Sequence, residues 1–167
     1  MNQTKFKGNP VQLTGTLPAE GETAPDFTYV KADLSEGSLY EHGDKIKVII
    51  AVPSLDTGVC QMEAKHFNND LADMDNVRGL IVSKDLPFAM NRFCEAEGVD
   101  NVEIASVFRS DFEKKYNALM VDGPLKGLSA RAVFVVDTDN KIRFVELVDD
   151  ITHEPDYDAV LNVIKRL

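Results

Sequence analysis

Residues 48–60 read VIIAVPSLDTGVC, and this stretch decides the fold because it joins a buried strand to a helix. Its first five residues are apolar and mostly β-branched, which predicts a strand that is covered on both faces. Pro53 and Gly58 then interrupt the pattern, and from there apolar residues recur at steps of four and three: Cys60, Ala64, Phe67, Leu71 and Met74. This spacing predicts a helix with Cys60 in its first turn, on the inward face.

The predicted position of Cys60 favours a reactive thiolate over an inert thiol. Backbone N–H groups in the first turn of a helix lack intrahelical partners, and the macrodipole places partial positive charge there. The dipole contributes only ~0.3–1 kcal/mol, so a cation or a hydroxyl donor must also act on the sulfur. Pro53 and Thr57 are the nearby residues of matching chemistry, a rigid residue without an N–H and a hydroxyl. We therefore expect Cys60 to be a nucleophile and not simply part of the core.

The spacing Pro53-x-x-x-Thr57-x-x-Cys60 at a strand-to-helix junction resembles the active-site motif of the peroxiredoxins. Three further stretches are similar to the bacterial thiol peroxidases, an atypical two-cysteine subfamily: DLPFA at 85–89, which leads to Cys94, ARAVFVVD at 130–137 and EPDY at 154–157. The resemblance covers nearly the whole chain, from APDF at 24–27 to the last predicted helix.

This resemblance implies a role for each candidate residue. Cys60 would be the peroxidatic cysteine that reduces hydrogen peroxide and alkyl hydroperoxides, and Cys94 the resolving cysteine that forms a disulfide with it. Thr57 and Arg131 would stabilise charge on the peroxide oxygens, and Pro53 would shield the sulfur from water. Thioredoxin would reduce the disulfide, and neither a metal nor an organic cofactor would be needed. Judged by the residues alone, Arg131 could be a surface cation and Cys94 a packed core thiol.

The order of the predicted elements indicates an α/β fold in which residues 1–167 form one domain. Strands are predicted at 28–31, 37–41, 47–51, 77–83, 101–106, 132–136 and 142–148, and a hairpin at 4–7 and 11–14 around Gly8-Asn9-Pro10. Helices are predicted from Cys60, at 87–97, at 111–116 as a short polar helix, and at the end of the chain with the inner stripe Tyr157, Val160, Leu161, Ile164 and Leu167. The resemblance implies a thioredoxin-like fold, with a mixed central sheet flanked by helices and an N-terminal β-hairpin.

Composition and motifs argue against several classes of function. A net charge of −10 argues against nucleic acid and anionic membranes, because phosphate contacts require clustered Lys and Arg. No apolar run is long enough to span a bilayer and no secretory signal is recognisable, so we expect a cytoplasmic protein. The three histidines are scattered, so no metal site is predicted, and phosphate-loop, Rossmann and esterase motifs are missing.

Two other hypotheses remain open at this stage. A peroxide sensor or a protein dithiol–disulfide oxidoreductase could use the same fold, although the chain has no Cys-x-x-Cys motif. A non-enzymatic interaction protein would instead hold two unreactive buried thiols. The resemblance also implies a homodimer, for which Leu55, Met90 and Phe108 are the candidate interface residues near the predicted active-site loops.

Overall fold

The chain is built around one seven-stranded sheet, and a computed structural model describes all residues 1–167. The strands are β1 (Gln3–Phe6), β2 (Asn9–Gln12), β3 (Thr28–Val30), β4 (Glu36–Ser38), β5 (Ile46–Ala51), β6 (Val77–Ser83), β7 (Val102–Ser106), β8 (Ala132–Val136) and β9 (Ile142–Leu147). The helices are α1 (Gly58–Asp70), α2 (Pro87–Glu97), α3 (Phe112–Tyr116) and α4 (Tyr157–Lys165), and one 3-10 turn spans Leu39–His42.

The main sheet is mixed, with the order β4-β3-β7-β6-β5-β8-β9. Its three central strands β7, β6 and β5 are parallel because helices connect them, and the outer strands pair antiparallel. The buried strand predicted at 47–51 lies in the middle, between β6 and β8. The predicted mixed sheet is therefore confirmed.

The alternation of side chains along β5 divides the core into two apolar layers. Val48 and Ile50 pack on the face that α1, α2 and α4 cover, whereas Ile49 and Ala51 pack on the face that α3 covers. Helices thus flank the sheet on both faces, as predicted. Cys60 and Cys94 both lie in the layer with α1 and α2, so the sheet does not separate them.

The N-terminal hairpin is confirmed as a separate two-stranded sheet, but its turn lies earlier than predicted. Thr4 pairs with Val11, which places the turn at Lys7 and Gly8, and Pro10 inside β2. Both turn residues have positive φ, 51° and 85°, a conformation that glycine tolerates and lysine adopts only with support. The carboxylate of Asp150 supplies that support by accepting hydrogen bonds from both turn amides.

Several predicted surfaces and bounds were wrong. α1 ends at Asp70, so Met74 lies beyond it, and the stretch predicted as a strand at 37–41 divides into β4 and the 3-10 turn. α3 is not a polar helix, because Phe112 and Tyr116 are buried in the core. α4 buries Val160 and Ile164, whereas Leu167 follows the helix and is exposed.

The bounds of α2 are as predicted, and Gly98 ends the helix in the left-handed conformation. Within this helix Phe88 is 66% exposed, whereas Met90, Phe93 and Cys94 are buried. Leu55 and Met90 are core residues, so the predicted interface set was wrong at both positions, and only Phe108 is exposed.

Candidate active site

The junction between β5 and α1 holds Cys60 in the first helical turn, as the sequence predicts. Thr57 has extended backbone angles and is the N-cap of α1, and its Oγ1 accepts a hydrogen bond from the Cys60 amide at 3.3 Å. The same hydroxyl donates to the carbonyl of Ser54 at 3.1 Å. Since a hydroxyl has one proton, Thr57 fixes the helix start in this structure and does not donate to the sulfur.

Arg131 reaches the sulfur from the residue just before β8. Its Nη1 donates to Cys60 Sγ at 3.2 Å, and its Nε and Nη2 donate to the carbonyl of Ile151 at 3.0 and 2.8 Å. Arg131 is 1% exposed, so the alternative interpretation as a surface cation is wrong. The fork of three donors is fixed on two sides, which orients the guanidinium toward Cys60.

Glu63 is a member of this cluster that the sequence interpretation did not identify. Its Oε2 accepts a hydrogen bond from Arg131 Nη1 at 2.7 Å, while its Oε1 is buried without a hydrogen-bond partner. Burial raises the pKa of Glu63 to about 7, and attraction to Arg131 opposes the rise. A signal was available, because Glu63 lies three residues after Cys60 and hence on the inward face of the predicted helix.

Burial also works against the charge of Arg131, but attraction to Cys60 and Glu63 outweighs it. The pKa of Arg131 is therefore above its ordinary value, and the side chain is a permanent cation. The guanidinium is shared between one sulfur and one carboxyl group, in a site that water does not screen. The site therefore places a fixed positive charge beside the sulfur.

A cavity of about 200 Å³ lies next to this cluster. Pro53, Thr57 and Arg131 line it on the side of the cysteine, and its other walls are mainly apolar, formed by Phe6, Leu125, Leu128 and Ile151 among others. Cys60 itself is 0% exposed, so Arg131 connects the cavity to the sulfur. The cavity suits a small molecule with one polar end and an apolar body.

The loop after β9 joins the hairpin to the guanidinium. Bonds from Thr152, Gly8 and Lys7 overcome the desolvation of Asp150 and hold the pKa of its carboxyl well below the usual range. The next residue, Ile151, donates its amide to the carbonyl of Lys5 and offers its own carbonyl to Arg131. This loop therefore forms part of the cavity wall through Ile151 and also holds the guanidinium of Arg131 in place.

Cys94 is not brought into this cavity. It lies on α2, is 8% exposed, and lines a different cavity of about 330 Å³ with Asn91, Val99 and Glu103 among others. Both cysteines are free thiols, and burial raises the pKa of Cys94 to about 11. In this conformation Cys94 is a poor nucleophile, because almost all of it is protonated at neutral pH.

The arrangement at Cys60 is suited to nucleophilic attack on a small electrophile. A sulfur at a helix N-terminus accepts a hydrogen bond from a fixed cation, and the same cation faces an apolar cavity.

The structure contains no group of three or more His, Cys, Asp or Glu side chains placed to hold a metal ion. No helix in the structure combines the length and the apolar character that crossing a bilayer demands.

Comparisons with known proteins agree with this chemistry. Residues 19–161 match the family model described as Redoxin. A thiol peroxidase of Leptospira interrogans is 51% identical over 164 residues, and the match covers 96% of each chain. One of Aquifex aeolicus is 48% identical over 162 residues, covering 97% of this chain and 96% of its relative. The crystal structure of a peroxiredoxin-like protein from Aquifex aeolicus has a TM-score of 0.94 and 46% identity, covering 99% of this chain and 97% of that one. The chain therefore belongs to the thiol peroxidase family of peroxiredoxin-type enzymes.

Proposed function

We propose that this enzyme reduces hydrogen peroxide and alkyl hydroperoxides through a sulfenic acid at Cys60. The observation that carries the proposal is the 3.2 Å hydrogen bond from Arg131 to Cys60 Sγ beside a cavity with apolar walls. The guanidinium supports a thiolate and leaves the apolar walls to contact the body of an organic hydroperoxide. Pro53 lines the cavity on the side of the sulfur, where it limits the access of bulk water.

In the proposed reaction the thiolate attacks the terminal oxygen of the peroxide. An S–O bond forms, the O–O bond breaks, and the leaving hydroxide or alkoxide takes up a proton to become water or an alcohol. Negative charge moves from the sulfur to the leaving oxygen during this step. Arg131 is the fixed cation next to that path, so it stabilises the transition state more than the ground state. Thr57 contributes by fixing the helix start and closing one wall of the cavity.

Cys94 is the proposed resolving cysteine. Its sulfur attacks the sulfenic acid, an intramolecular disulfide forms between Cys60 and Cys94, and water leaves. Because both cysteines are buried and Cys94 lines a cavity that Cys60 does not reach, the first turn around Cys60, the helix around Cys94, or both must unwind. Thioredoxin then reduces the disulfide by thiol–disulfide exchange. We place this cycle in the cytoplasm, where such reductants keep cysteine pairs reduced.

We propose further that residues 1–167 act as one domain and that two copies form a homodimer. The single main sheet shared by both core layers supports the first statement. Exposed apolar side chains on two adjacent segments support the second: Leu86, Phe88 and Phe108. The hydroxyl of Ser106 donates to the carbonyl of Asp85 and holds these segments side by side.

Steady-state peroxide consumption with a thioredoxin system tests the function. Cys60→Ser should abolish consumption while circular dichroism shows an intact fold, and a variant that still consumes peroxide rapidly would overturn the assignment. Cys94→Ser should reduce one equivalent of peroxide at near the wild-type rate and then stall as a sulfenic acid. Continued thioredoxin-dependent turnover by that variant would leave a one-cysteine mechanism. A sensor, in contrast, would consume about one equivalent even as the wild type.

A further inference from the structure

Asp85 lies two residues before α2, the helix that carries Cys94. Its side chain binds the loop before α1, the helix that carries Cys60. Its Oδ1 accepts a hydrogen bond from Ser54 Oγ at 2.8 Å, and its Oδ2 accepts from the Leu55 amide at 2.8 Å. Ser83 Oγ also donates to Oδ2 at 2.8 Å. The carboxylate therefore connects the end of β6 to the loop that follows β5. Hydrogen bonds to an ionised acceptor are among the stronger ones in proteins.

The connection continues from Asp85 to the backbone of the nucleophile. Ser54, held by Asp85, accepts at its carbonyl a hydrogen bond from Thr57 Oγ1 at 3.1 Å. Thr57 Oγ1 in turn accepts from the Cys60 amide at 3.3 Å. Hydrogen bonds on both sides of Ser54 thus connect Asp85 to the first turn of α1.

Asp85 also stands at the start of the other cysteine helix. α2 begins at Pro87, and its N-cap, Leu86, provides no side-chain hydrogen bond to the helix. The carboxylate that is nearest to this helix start is used for the β5–α1 loop instead. The first turn of α2 consequently depends on packing, and a helix without a side-chain cap unwinds more readily from that end.

Condensation of the two cysteines requires this arrangement to open. Cys60 is fully buried with its sulfur bonded to Arg131, and Cys94 is buried beside a separate cavity. If α1 unwinds at its first turn, the Thr57 and Ser54 bonds break. If α2 unwinds from Pro87, the segment that carries Asp85 moves. The bonds of the Asp85 side chain join the loop before α1 to the segment that leads from β6 into α2.

We propose that Asp85 is a positioning residue that fastens the two helix starts together while Cys60 reacts with peroxide, and that its release sets the rate of disulfide formation. The inference rests on the proposed Cys60–Cys94 disulfide. Loss of the carboxylate should slow the attack on peroxide and speed the disulfide step, each by about tenfold, because bonds to a charged acceptor disappear. Faster resolution should also lower the fraction of Cys60 over-oxidised to sulfinic acid.

The test is a single turnover of the full chain with hydrogen peroxide, quenched by alkylation and analysed by mass spectrometry for sulfenic acid, disulfide and sulfinic acid. Asp85→Ala should show slower sulfenic acid formation, faster disulfide formation and less sulfinic acid. Asp56→Ala, which removes an exposed carboxylate on the same loop, should match the wild type. A residue with a purely structural role would slow both steps or neither, so the opposite change of the two rates is the decisive measurement.

Ser54→Ala removes the link at Oδ1 and the bond that Ser54 Oγ accepts from the Asp56 amide, and it leaves the Leu55 link at Oδ2 in place. It should therefore change both rates in the same directions as Asp85→Ala but by less, and its effect should be smaller in the Asp85→Ala background than in the wild type. If Asp85→Ala does not fold, wild-type rates in Ser54→Ala overturn the inference. If the wild type forms the disulfide and Asp85→Ala forms it no faster, the inference fails while the proposed function stands. If the wild type forms no Cys60–Cys94 disulfide, both fail.

Discussion

Replacement of Arg131 by methionine should separate stability from activity at this site. The change removes four hydrogen bonds: two to the carbonyl of Ile151, one to Cys60 and one to Glu63. Glu63 would then be a fully buried carboxyl group without its cation, and its Oε1 already lacks a partner. Removal of one member of a buried ion pair costs ~3–5 kcal/mol, so Arg131→Met should lower the free energy of unfolding by that amount.

The double variant Arg131→Met with Glu63→Leu should recover much of this loss. Apolar residues in place of both partners leave no unpaired charge, and only the Ile151 carbonyl loses its donors, which costs ~1–3 kcal/mol. Activity should not recover, because the sulfur and the leaving oxygen still lack their cation. By analogy with the loss of one donor from an oxyanion site, both variants should react with peroxide ~10²–10³-fold more slowly.

Urea unfolding followed by circular dichroism measures the first effect, and the rate of the first peroxide turnover measures the second. Arg131→Lys is the matched control, since it keeps the charge but replaces the planar fork of donors with a single ammonium group. Its rate should lie between those of the wild type and Arg131→Met. A double variant as unstable as the single one, or an Arg131→Met enzyme that attacks peroxide at the wild-type rate, would refute the reasoning.

Three further changes test separate parts of the structure. Burial raises the pKa of Glu63 to about 7 from an ordinary 4.5, so the folded protein binds this proton more tightly than the unfolded chain does. The stabilisation that results is complete below about pH 4.5 and is lost as the pH rises through about 7. Urea unfolding should therefore show the wild type losing stability relative to Glu63→Gln between about pH 5 and about pH 8. Phe6→Ala, which removes part of a cavity wall, should lower kcat/KM for cumene hydroperoxide by about tenfold and leave kcat/KM for hydrogen peroxide nearly unchanged. Asp150→Asn should lower the free energy of unfolding by ~1–2 kcal/mol at neutral pH, because the turn amides of Lys7 and Gly8 lose a charged acceptor. The pKa of Asp150 is lowered on folding, so that difference should shrink as the pH falls below about 3.8.

Each of these predictions has its own contrary result. Parallel pH profiles for the wild type and Glu63→Gln would show that Glu63 does not titrate differently on folding. Equal losses for both peroxides in Phe6→Ala would indicate damage to the site and not a change of substrate contacts; Phe6→Leu, which keeps an apolar wall, is the control. An Asp150→Asn protein with wild-type stability would mean that the hairpin turn does not need the charge.

Elements that are fixed by local pattern could be predicted from the sequence. β6 and α2 have the predicted bounds, because a mainly apolar run between polar residues marks β6 and a Pro–Gly pair marks the ends of α2. The buried face of α2 could not be predicted in the same way. Its sequence places apolar side chains around the helix, so packing against the sheet decides that Phe88 is exposed while Met90 and Phe93 are buried.

The reactive part of the site was partly predictable for a similar reason. Pro53, Thr57 and Cys60 lie within one junction, so their spacing alone predicts that they are neighbours. The partners of Glu63 and Asp85 are distant in the chain, 68 residues away at Arg131 and 31 residues away at Ser54. Only the sheet order brings them together. The carboxyl ends of the parallel strands β5 and β6 meet at one edge, and β8 begins at that edge because it runs antiparallel to β5. The available signal was a polar residue shortly after each of the strands β5 and β6, namely Ser54 and Asp85.

The loop after β9 gives the hairpin an influence that its distance in sequence from the nucleophile does not suggest. Asp150 holds the hairpin turn, and Ile151 joins the carbonyl of Lys5 to the guanidinium of Arg131. The backbone of Lys5, next to the cavity-wall residue Phe6, is therefore joined through Ile151 to the cation beside the sulfur. Sequence changes in the first ten residues that move this backbone would therefore act on the position of Arg131 without replacing a catalytic side chain.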